Sequence, residues 1–139
     1  MSRPSTIAEI ADRASVSVQR FDACVREFLD AWQTMSPTRR TDALQSEPVT
    51  LNPVCDAYLA ALAEHLALTD RLEIPAWTDR PHRFLDVPFF SGGLEFLKAT
   101  LLVESPLAFR RRLVFISADG LFRPRRDASS EEASPHVRA

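Results

Sequence analysis

The residues that could perform chemistry are few and widely spaced along this chain of 139 residues. Thiols, imidazoles and carboxylates act as nucleophiles, bases or metal ligands only when the fold brings them together, which short and regular spacings favour. Cys24 and Cys55 fall on predicted helices without a Cys-x-x-Cys spacing, so we expect two small buried thiols rather than a disulfide or a metal pair. The histidines are scattered, at His65, His82 and His136.

Phosphate-binding and hydrolytic motifs are also missing from the sequence. The glycines lie in turn contexts and form no glycine-rich phosphate loop, and no serine has the setting of a nucleophile elbow. Asp79 and Asp86 are expected to cap helices or to pair with arginines rather than to act as general acids or bases. The sequence therefore predicts a protein that is not an enzyme, with no catalytic residue, no metal site and no cofactor.

The most distinctive segment covers residues 76–122 and is rich in Trp, Phe and Arg, the residue types enriched at the centres of protein interfaces. We expect Trp77 and Phe84 to plug the helical core from outside, and Phe89 and Phe90, beside a Ser-Gly-Gly turn, to contact a partner. The triple arginine either braces the domain or binds carboxylates of the partner. The candidate partner-binding residues are Trp77, Phe89, Phe90, Arg110, Arg111 and Arg112.

Two strings in this segment carry a resemblance to a known family. They read W-T-D-R-P-x-R-F-L-D from Trp77 and E-S-P-L-A-F-R-R-R-L-V-F-I from Glu104, with a short hydrophobic helix between them. Together they resemble the C-terminal signature of small bacterial proteins encoded beside nucleotidyltransferase-like toxins of the AbiEii/MenT-like class, and the match covers residues 51–122. The resemblance implies an antitoxin that binds and neutralises a partner nucleotidyltransferase-type toxin by protein–protein contact.

The sequence departs from the family pattern at one position. Family members often have Gly after the arginines, where this chain has Leu113, so we expect the turn into the last apolar run to differ.

The charge distribution bears on how such a partner would be bound. Residues 1–104 carry ten basic and fifteen acidic groups, net −5, whereas residues 105–126 carry six basic groups and one acidic group, net +5. Toxins of this class act on nucleotides and RNA ends, so the resemblance implies a basic cleft for which an acidic helical body can compete. The basic end would steer toward an acidic or phosphate-bearing partner, unless its arginines pair with carboxylates of this chain.

Residues 6–34 offer an alternative function. The string T-I-A-E-I-A-D-R-A-S-V-S-V-Q-R-F, which starts at Thr6, resembles the start of a helix-turn-helix and would make the chain a DNA-binding transcriptional regulator that contacts operator DNA. Ser17, Gln19 and Arg20 would then face the groove. The acidic residues along the following helix oppose phosphate contact, at Asp22, Glu27 and Asp30.

Apolar spacing and capping residues predict a mostly α-helical fold. A capping box at Thr6 and Glu9 opens the first helix, an apolar stripe covers residues 18–35, and Ser36-Pro37 and Asn52-Pro53 begin two further helices. Helices over 18–35 and 53–68 should form an antiparallel core. The side chains expected to be buried there are Phe21, Phe28, Trp32, Tyr58, Leu62 and Leu66.

The last third should wrap this core as an irregular cap rich in aromatic residues and proline. Within it we expect a helical turn near residues 82–85, a helix over 94–103, a helix from Ser105-Pro106 to residue 111 or 112, and at most one β-like run, over 113–116. The predicted organisation is a single compact domain over 1–122, with N-terminal helices in 6–48, a central helix in 52–74 and the cap in 75–122. A disordered tail follows over 123–139.

Hydropathy argues against a membrane protein. No apolar run approaches the ~18 residues that span a bilayer, and the N-terminal residues lack the apolar core of a signal peptide. We therefore expect a cytoplasmic protein with no membrane contact. The oligomeric state is left open by the sequence.

Overall fold

Helices account for most of the backbone that the structure describes. The computed structural model describes residues 3–91, 101–102 and 104–117. In these ranges the chain forms five α-helices: α1 (Ile7–Ala14), α2 (Phe21–Trp32), α3 (Pro37–Gln45), α4 (Pro53–Asp70) and α5 (Leu107–Arg110). Three 3-10 turns lie at Val18–Arg20, Ala76–Asp79 and Pro81–Arg83. The predicted mostly α-helical fold class is confirmed.

Two sequence expectations fall wholly or partly outside the described residues. Of the helix predicted over 94–103, only Leu101 and Leu102 are described, and both are helical. The predicted tail over 123–139 lies outside the described ranges.

The helices begin where capping residues satisfy the first free backbone amides. The Thr6 hydroxyl accepts a hydrogen bond from the Glu9 amide at 3.1 Å, while the Glu9 carboxylate accepts one from the Thr6 amide at 3.2 Å, which completes the predicted capping box. The side chains of Ser36 and Asn52 each accept a hydrogen bond from the backbone amide three residues on, at the starts of α3 and α4, and a proline follows each of them in the first turn. Local sequence therefore sets these helix starts.

The second helix is shorter than its apolar stripe predicts. Residues 18–20 form a 3-10 turn before α2, and α2 ends at Trp32 rather than near residue 35. Arg40 donates from Nε at 3.0 Å and from Nη2 at 2.8 Å to the Trp32 carbonyl, and from Nη1 at 2.7 Å to the Asp70 carboxylate. Arg40 thus satisfies a terminal carbonyl of α2 and ties that end to the end of α4.

One buried cluster unites α1, α2 and α4 with the C-terminal elements. Phe21, Phe28, Trp32, Leu62 and Leu66 are buried as predicted. Tyr58 is only half-buried, between the rings of Phe21 and Phe109 at centroid distances of 5.6 and 5.1 Å.

The most extensive contacts between helices are those of α1 with α2 and of α4 with α5. The predicted pair of α2 and α4 makes less extensive contact, although both helices contribute side chains to the one core. The long α4 buries most of its faces, because Ala and Leu occupy nearly its whole circumference. None of the helices in the described ranges combines the length and the apolar character required to cross a bilayer.

A very small parallel sheet closes the cap. Strand β1 (Phe89–Phe90) pairs with β2 (Val114–Phe115), so that Phe89 lies opposite Val114 and Phe90 opposite Phe115. The β-like run therefore pairs, and its partner is a stretch that the sequence reading left irregular. Two residues next to Pro88 have too little local pattern to predict a strand, because the pairing partner lies far away in sequence.

The turn into β2 depends on an unusual backbone conformation. Leu113 has a φ of 63°, in the left-handed region that glycine adopts easily and that costs other residues roughly 1–2 kcal/mol. This is the position at which the resembling family often has Gly. The conformation is held by hydrogen bonds at both ends of the residue, from the Leu113 amide to the Arg110 carbonyl and from the Phe89 amide to the Leu113 carbonyl, each at 2.9 Å.

The position of Leu62 in α4 leads to a stability prediction. Leu62→Ala removes a fully buried side chain, so we expect the free energy of unfolding to fall by about 2–5 kcal/mol, measured by urea denaturation. Leu68→Ala is the matched control, because Leu68 lies on the same helix with 50% of its surface exposed and should cost well under half as much. Equal losses in the two variants would contradict the observed core.

Candidate functional site

Two fully buried arginines, Arg83 and Arg112, hold the segment from residue 75 to 91 against the helices. We call the groups around them the Arg83 cluster and the Arg112 cluster. Buried guanidinium groups are rare and require acceptors on several sides. The acceptors that meet them therefore determine the path of the segment.

The Arg83 cluster joins the segment to the loop before α4. Arg83 donates from Nη2 to the Pro48 carbonyl at 2.7 Å and to Glu47 Oε2 at 3.2 Å. Its Nη1 donates to the Asp56 carbonyl at 3.3 Å and lies 3.9 Å from the Asp56 carboxylate. That carboxylate also accepts from the Leu51 amide at 2.8 Å. One side chain thus fixes residue 83 to the loop and to the first turn of α4.

The buried Trp77 ring packs against this cluster. The Arg83 guanidinium lies 5.0 Å from the centre of the Trp77 ring, and the indole Nε1 donates to the Leu44 carbonyl at 3.0 Å. Trp77 is buried, so the expectation that it plugs the core fits its placement. A direct contact between Trp77 and a partner does not fit this placement, because the ring is enclosed by the chain itself.

The Arg112 cluster joins the C-terminal turn to α4 and to the segment at once. Arg112 donates from Nη1 to Glu64 Oε1 at 2.5 Å and to the Ala108 carbonyl at 2.9 Å, and from Nη2 to the Thr78 carbonyl at 2.9 Å. The half-buried Phe84 ring lies 4.6 Å from the guanidinium carbon. Arg112 is therefore an internal brace, and its predicted contact with a partner does not fit its burial.

In both clusters, burial disfavours the charged form of a side chain, and hydrogen bonds to a group of opposite charge favour it. Burial lowers the pKa of the Arg112 guanidinium from its ordinary value, and the hydrogen bond to Glu64 opposes that change. Burial also disfavours the charged form of Glu47, but hydrogen bonds from Arg80 and Arg83 outweigh this and hold the pKa of the Glu47 carboxyl below its usual value. Within the described residues, Nε of Arg83 and of Arg112 has no hydrogen-bond partner. A buried donor of this kind costs about 1–3 kcal/mol.

The three consecutive arginines have three different environments. Arg112 is buried, whereas Arg111 lies 3.6 Å from Glu64 and 3.4 Å from Asp79 and covers the Phe84 ring at 5.2 Å. Arg110 is exposed and has no ion pair with another described residue. From the sequence, each of the three arginines could either brace the domain or contact a partner. In the structure, Arg112 braces the domain, and Arg111 lies near two carboxylates of this chain.

The outer part of the segment exposes apolar side chains. The Val87 side chain is 74% exposed and that of Phe89 37% exposed, and we call these two residues the outer edge. Phe90 is half-buried and stacks on Phe115 at 4.9 Å and 18°, so it serves the small sheet. Of the two phenylalanines predicted to contact a partner, Phe89 is the more accessible one.

The residues of the DNA-binding alternative lie at the junction of α1 and α2. Ser17 is half-buried and its hydroxyl donates to Gln19 Oε1 at 2.9 Å. Gln19 and Arg20 are exposed in the 3-10 turn that precedes α2, and Asp22 is exposed directly after them. The structure thus brings the three predicted residues together, although beside an acidic group.

Of the groups that could have formed a reactive site, His82 lies at the edge of the Arg83 cluster, with its Nε2 4.0 Å from Glu47 Oε2. Cys24 and Cys55 are free and buried, and burial raises the pKa of the Cys55 thiol, which disfavours the thiolate. Burial lowers the pKa of His65, whose ring meets the edge of Phe109 at 6.2 Å. No group of three or more His, Cys, Asp or Glu able to hold a metal occurs within the described residues.

Two shallow pockets open on the surface of the helices. One, of about 230 Å³, is lined by Pro37, Arg40, Asp70 and Leu72, and its Arg40 is already bound to Asp70 and to the Trp32 carbonyl. The other, of about 280 Å³, lies between the α1–α2 turn and the loop before α4 and is lined by Ala14, Ser15, Val18, Thr50, Leu51 and Asn52.

Sequence reasoning missed the carboxylates that receive the buried arginines. Asp56 and Glu64 lie on α4 and are buried, and Glu47 lies in the loop before it. A signal was present for Glu64, because it interrupts the apolar run A-A-L-A-E-H-L-A of a helix that is otherwise buried on most faces. A lone acid in such a run indicates a buried basic partner, but not which arginine supplies it.

A comparison of the chain with protein-family models, curated proteins and solved structures found no match.

The Arg112 cluster generates a second stability prediction. Arg112→Leu leaves Glu64 buried without its closest partner, so the free energy of unfolding should fall by about 3–5 kcal/mol in urea denaturation. Arg110→Leu is the matched control in the adjacent position, and it should stay within about 0.5 kcal/mol of the unmodified chain. The pair Arg112→Met with Glu64→Leu should recover much of the loss, because both charges are then removed together. A harmless Arg112→Leu change would show that the cluster does not hold the segment.

Proposed function

We propose that this chain is an antitoxin that binds and neutralises a partner nucleotidyltransferase-type toxin by protein–protein contact in the cytoplasm. The resemblance of the strings that start at Trp77 and Glu104 names the kind of partner. The structural observation that carries the proposal is the outer edge, where Val87 and Phe89 stand exposed on a segment whose inner part is held by buried arginines.

Exposed apolar side chains on a fixed backbone favour binding for two physical reasons. Covering Val87 and Phe89 removes apolar surface from water at about 25 cal/mol per Å². The backbone that presents them is already ordered, through hydrogen bonds from the Leu85 amide to the Arg112 carbonyl at 3.3 Å and from the Phe89 amide to the Leu113 carbonyl at 2.9 Å. A surface ordered in advance loses less conformational entropy when a partner binds.

The outer edge can be tested without disturbing the fold. We expect the double variant Val87→Ser with Phe89→Ala to keep the circular dichroism spectrum of the unmodified chain and to bind the toxin at least tenfold more weakly, about 1.4 kcal/mol. We expect the toxin to be a nucleotidyltransferase encoded in the neighbouring reading frame, and the affinity is measured by calorimetry. Phe90 is left unchanged because it stacks on Phe115 and its loss would perturb the sheet.

A matched control is available at another exposed valine. Val16 is 88% exposed in the turn between α1 and α2, and Val16→Ser should leave the toxin affinity unchanged. If the double variant binds as tightly as the unmodified chain and still neutralises the toxin in cells, the outer edge is not the contact surface. If the unmodified chain does not bind the toxin, the antitoxin proposal is wrong.

A second candidate function is operator binding through α1 and α2. It is favoured by one observation, the exposure of Gln19 and Arg20 at the start of the second helix, where Arg20 has no ion pair with another described residue. Exposed Asp12 and Asp22 flank this site and oppose contact with phosphates. The acidic neighbours are the reason why we rank this function below the first.

Operator binding has its own experiment. If it occurs, the affinity for DNA upstream of the gene should fall steeply with salt, and Arg20→Ala should abolish it, as measured by fluorescence anisotropy. Arg39→Ala, at an exposed arginine of α3, serves as the control and should have no effect. Tight binding that depends on Arg20 would make transcriptional regulation the primary activity. Weak binding that is equal in both variants would exclude this site.

A further inference from the structure

The short helix α5 presents a mixed apolar and cationic face to solvent. Leu107 and Arg110 are three residues apart and therefore lie on the same side of one helical turn. Leu107 is 62% exposed and Arg110 is also exposed, whereas Ala108 and Phe109 between them are buried against the core. We call Leu107 and Arg110 the α5 face.

The charge of the α5 face is not neutralised within the described chain. The carboxylates of Glu64 and Asp79, which lie near the triple arginine, are already engaged by Arg111 and Arg112. Arg110 has no ion pair with another described residue, and residues 105–117 contain three arginines and no acidic residue. Arg110 therefore has no counter-charge among the described residues. A partner could supply one.

The geometry points to a partner protein that carries a carboxylate beside an apolar groove, and we infer that the α5 face docks on such a surface through Leu107 and Arg110. This inference rests on the proposed antitoxin function and specifies the chemistry of the toxin surface that is bound. Arginine pairs with a carboxylate through two parallel hydrogen bonds, and arginine next to a large apolar side chain is typical of interface centres.

A protein carboxylate fits this face better than a nucleic-acid phosphate. Sites for nucleic-acid backbones collect several cations along a groove, whereas within the described residues of this face one arginine without an ion pair stands beside an exposed leucine. An apolar neighbour adds binding energy only against a partner that has apolar surface of its own.

The test compares charge variants of the full chain in binding to the purified toxin. Arg110→Glu should weaken the complex at least tenfold and Leu107→Ser at least threefold, while Arg110→Lys should lose less than Arg110→Glu because the charge remains. The affinity of the unmodified chain should fall with salt more steeply than that of Arg110→Glu. Circular dichroism and thermal unfolding show that each variant is folded, as expected for exposed positions.

Arg39→Glu is the matched control, since Arg39 is an exposed arginine of α3 without an ion pair to another described residue. Its toxin affinity should not change. If the unmodified chain binds the toxin and Arg110→Glu and Leu107→Ser bind equally well, the α5 inference is overturned while the antitoxin function stands. If the unmodified chain does not bind the toxin, both the α5 inference and the antitoxin proposal are wrong.

The nucleic-acid possibility is decided in the same set of variants. Single-stranded RNA labelled with a fluorophore is titrated with the unmodified chain and with Arg110→Glu. RNA binding that is lost in Arg110→Glu, together with an unchanged toxin affinity, would overturn the inference and assign the α5 face to phosphate contact. Absence of RNA binding, together with a weakened toxin complex, supports docking on a carboxylate.

Discussion

A guanidinium group taken out of water must be surrounded by acceptors, and this constraint determines how the C-terminal half of the chain lies on its helices. Arg83 finds its acceptors in the loop before α4 and in the first turn of that helix. Arg112 finds its own on α4 and in the segment around Thr78. Together, Arg83 and Arg112 fix the course of the segment over the helices. The Trp77 ring packs on the Arg83 guanidinium, and the Phe84 ring packs on that of Arg112.

The strings that resemble the antitoxin family thus describe internal structure more than a contact surface. Trp77, Thr78 and Arg83 of the first string are buried, and so are Phe109 and Arg112 of the second. Side chains of this kind are required by the way in which the cap is attached, whatever the cap binds. The strings therefore identify a mode of folding, and the proposed contact with a partner is assigned to residues that this folding leaves outside.

The same attachment makes the outer residues suitable for recognition. Val87, Phe89, Leu107 and Arg110 are exposed on or beside short elements, and each lies within two residues in sequence of a buried or half-buried apolar side chain. Such elements are too short to be stable alone, so their order comes from the clusters beneath them. The stability of the C-terminal cap and the proposed binding are thus consequences of one arrangement. Paired charges lie inside it, whereas exposed apolar side chains and an arginine without an ion pair in the described chain lie outside.

The sequence by itself determined the helices of this protein, because capping residues at Thr6, Ser36 and Asn52 and apolar spacing act over a few neighbouring residues. It also determined most of the core, from Phe21 to Leu66, since a helical stripe specifies which face is buried. Only the tertiary structure decided which of three adjacent arginines is enclosed, which carboxylates receive it and that Phe89 and Phe90 pair with β2. Those contacts join residues far apart in sequence, and no local spacing encodes them.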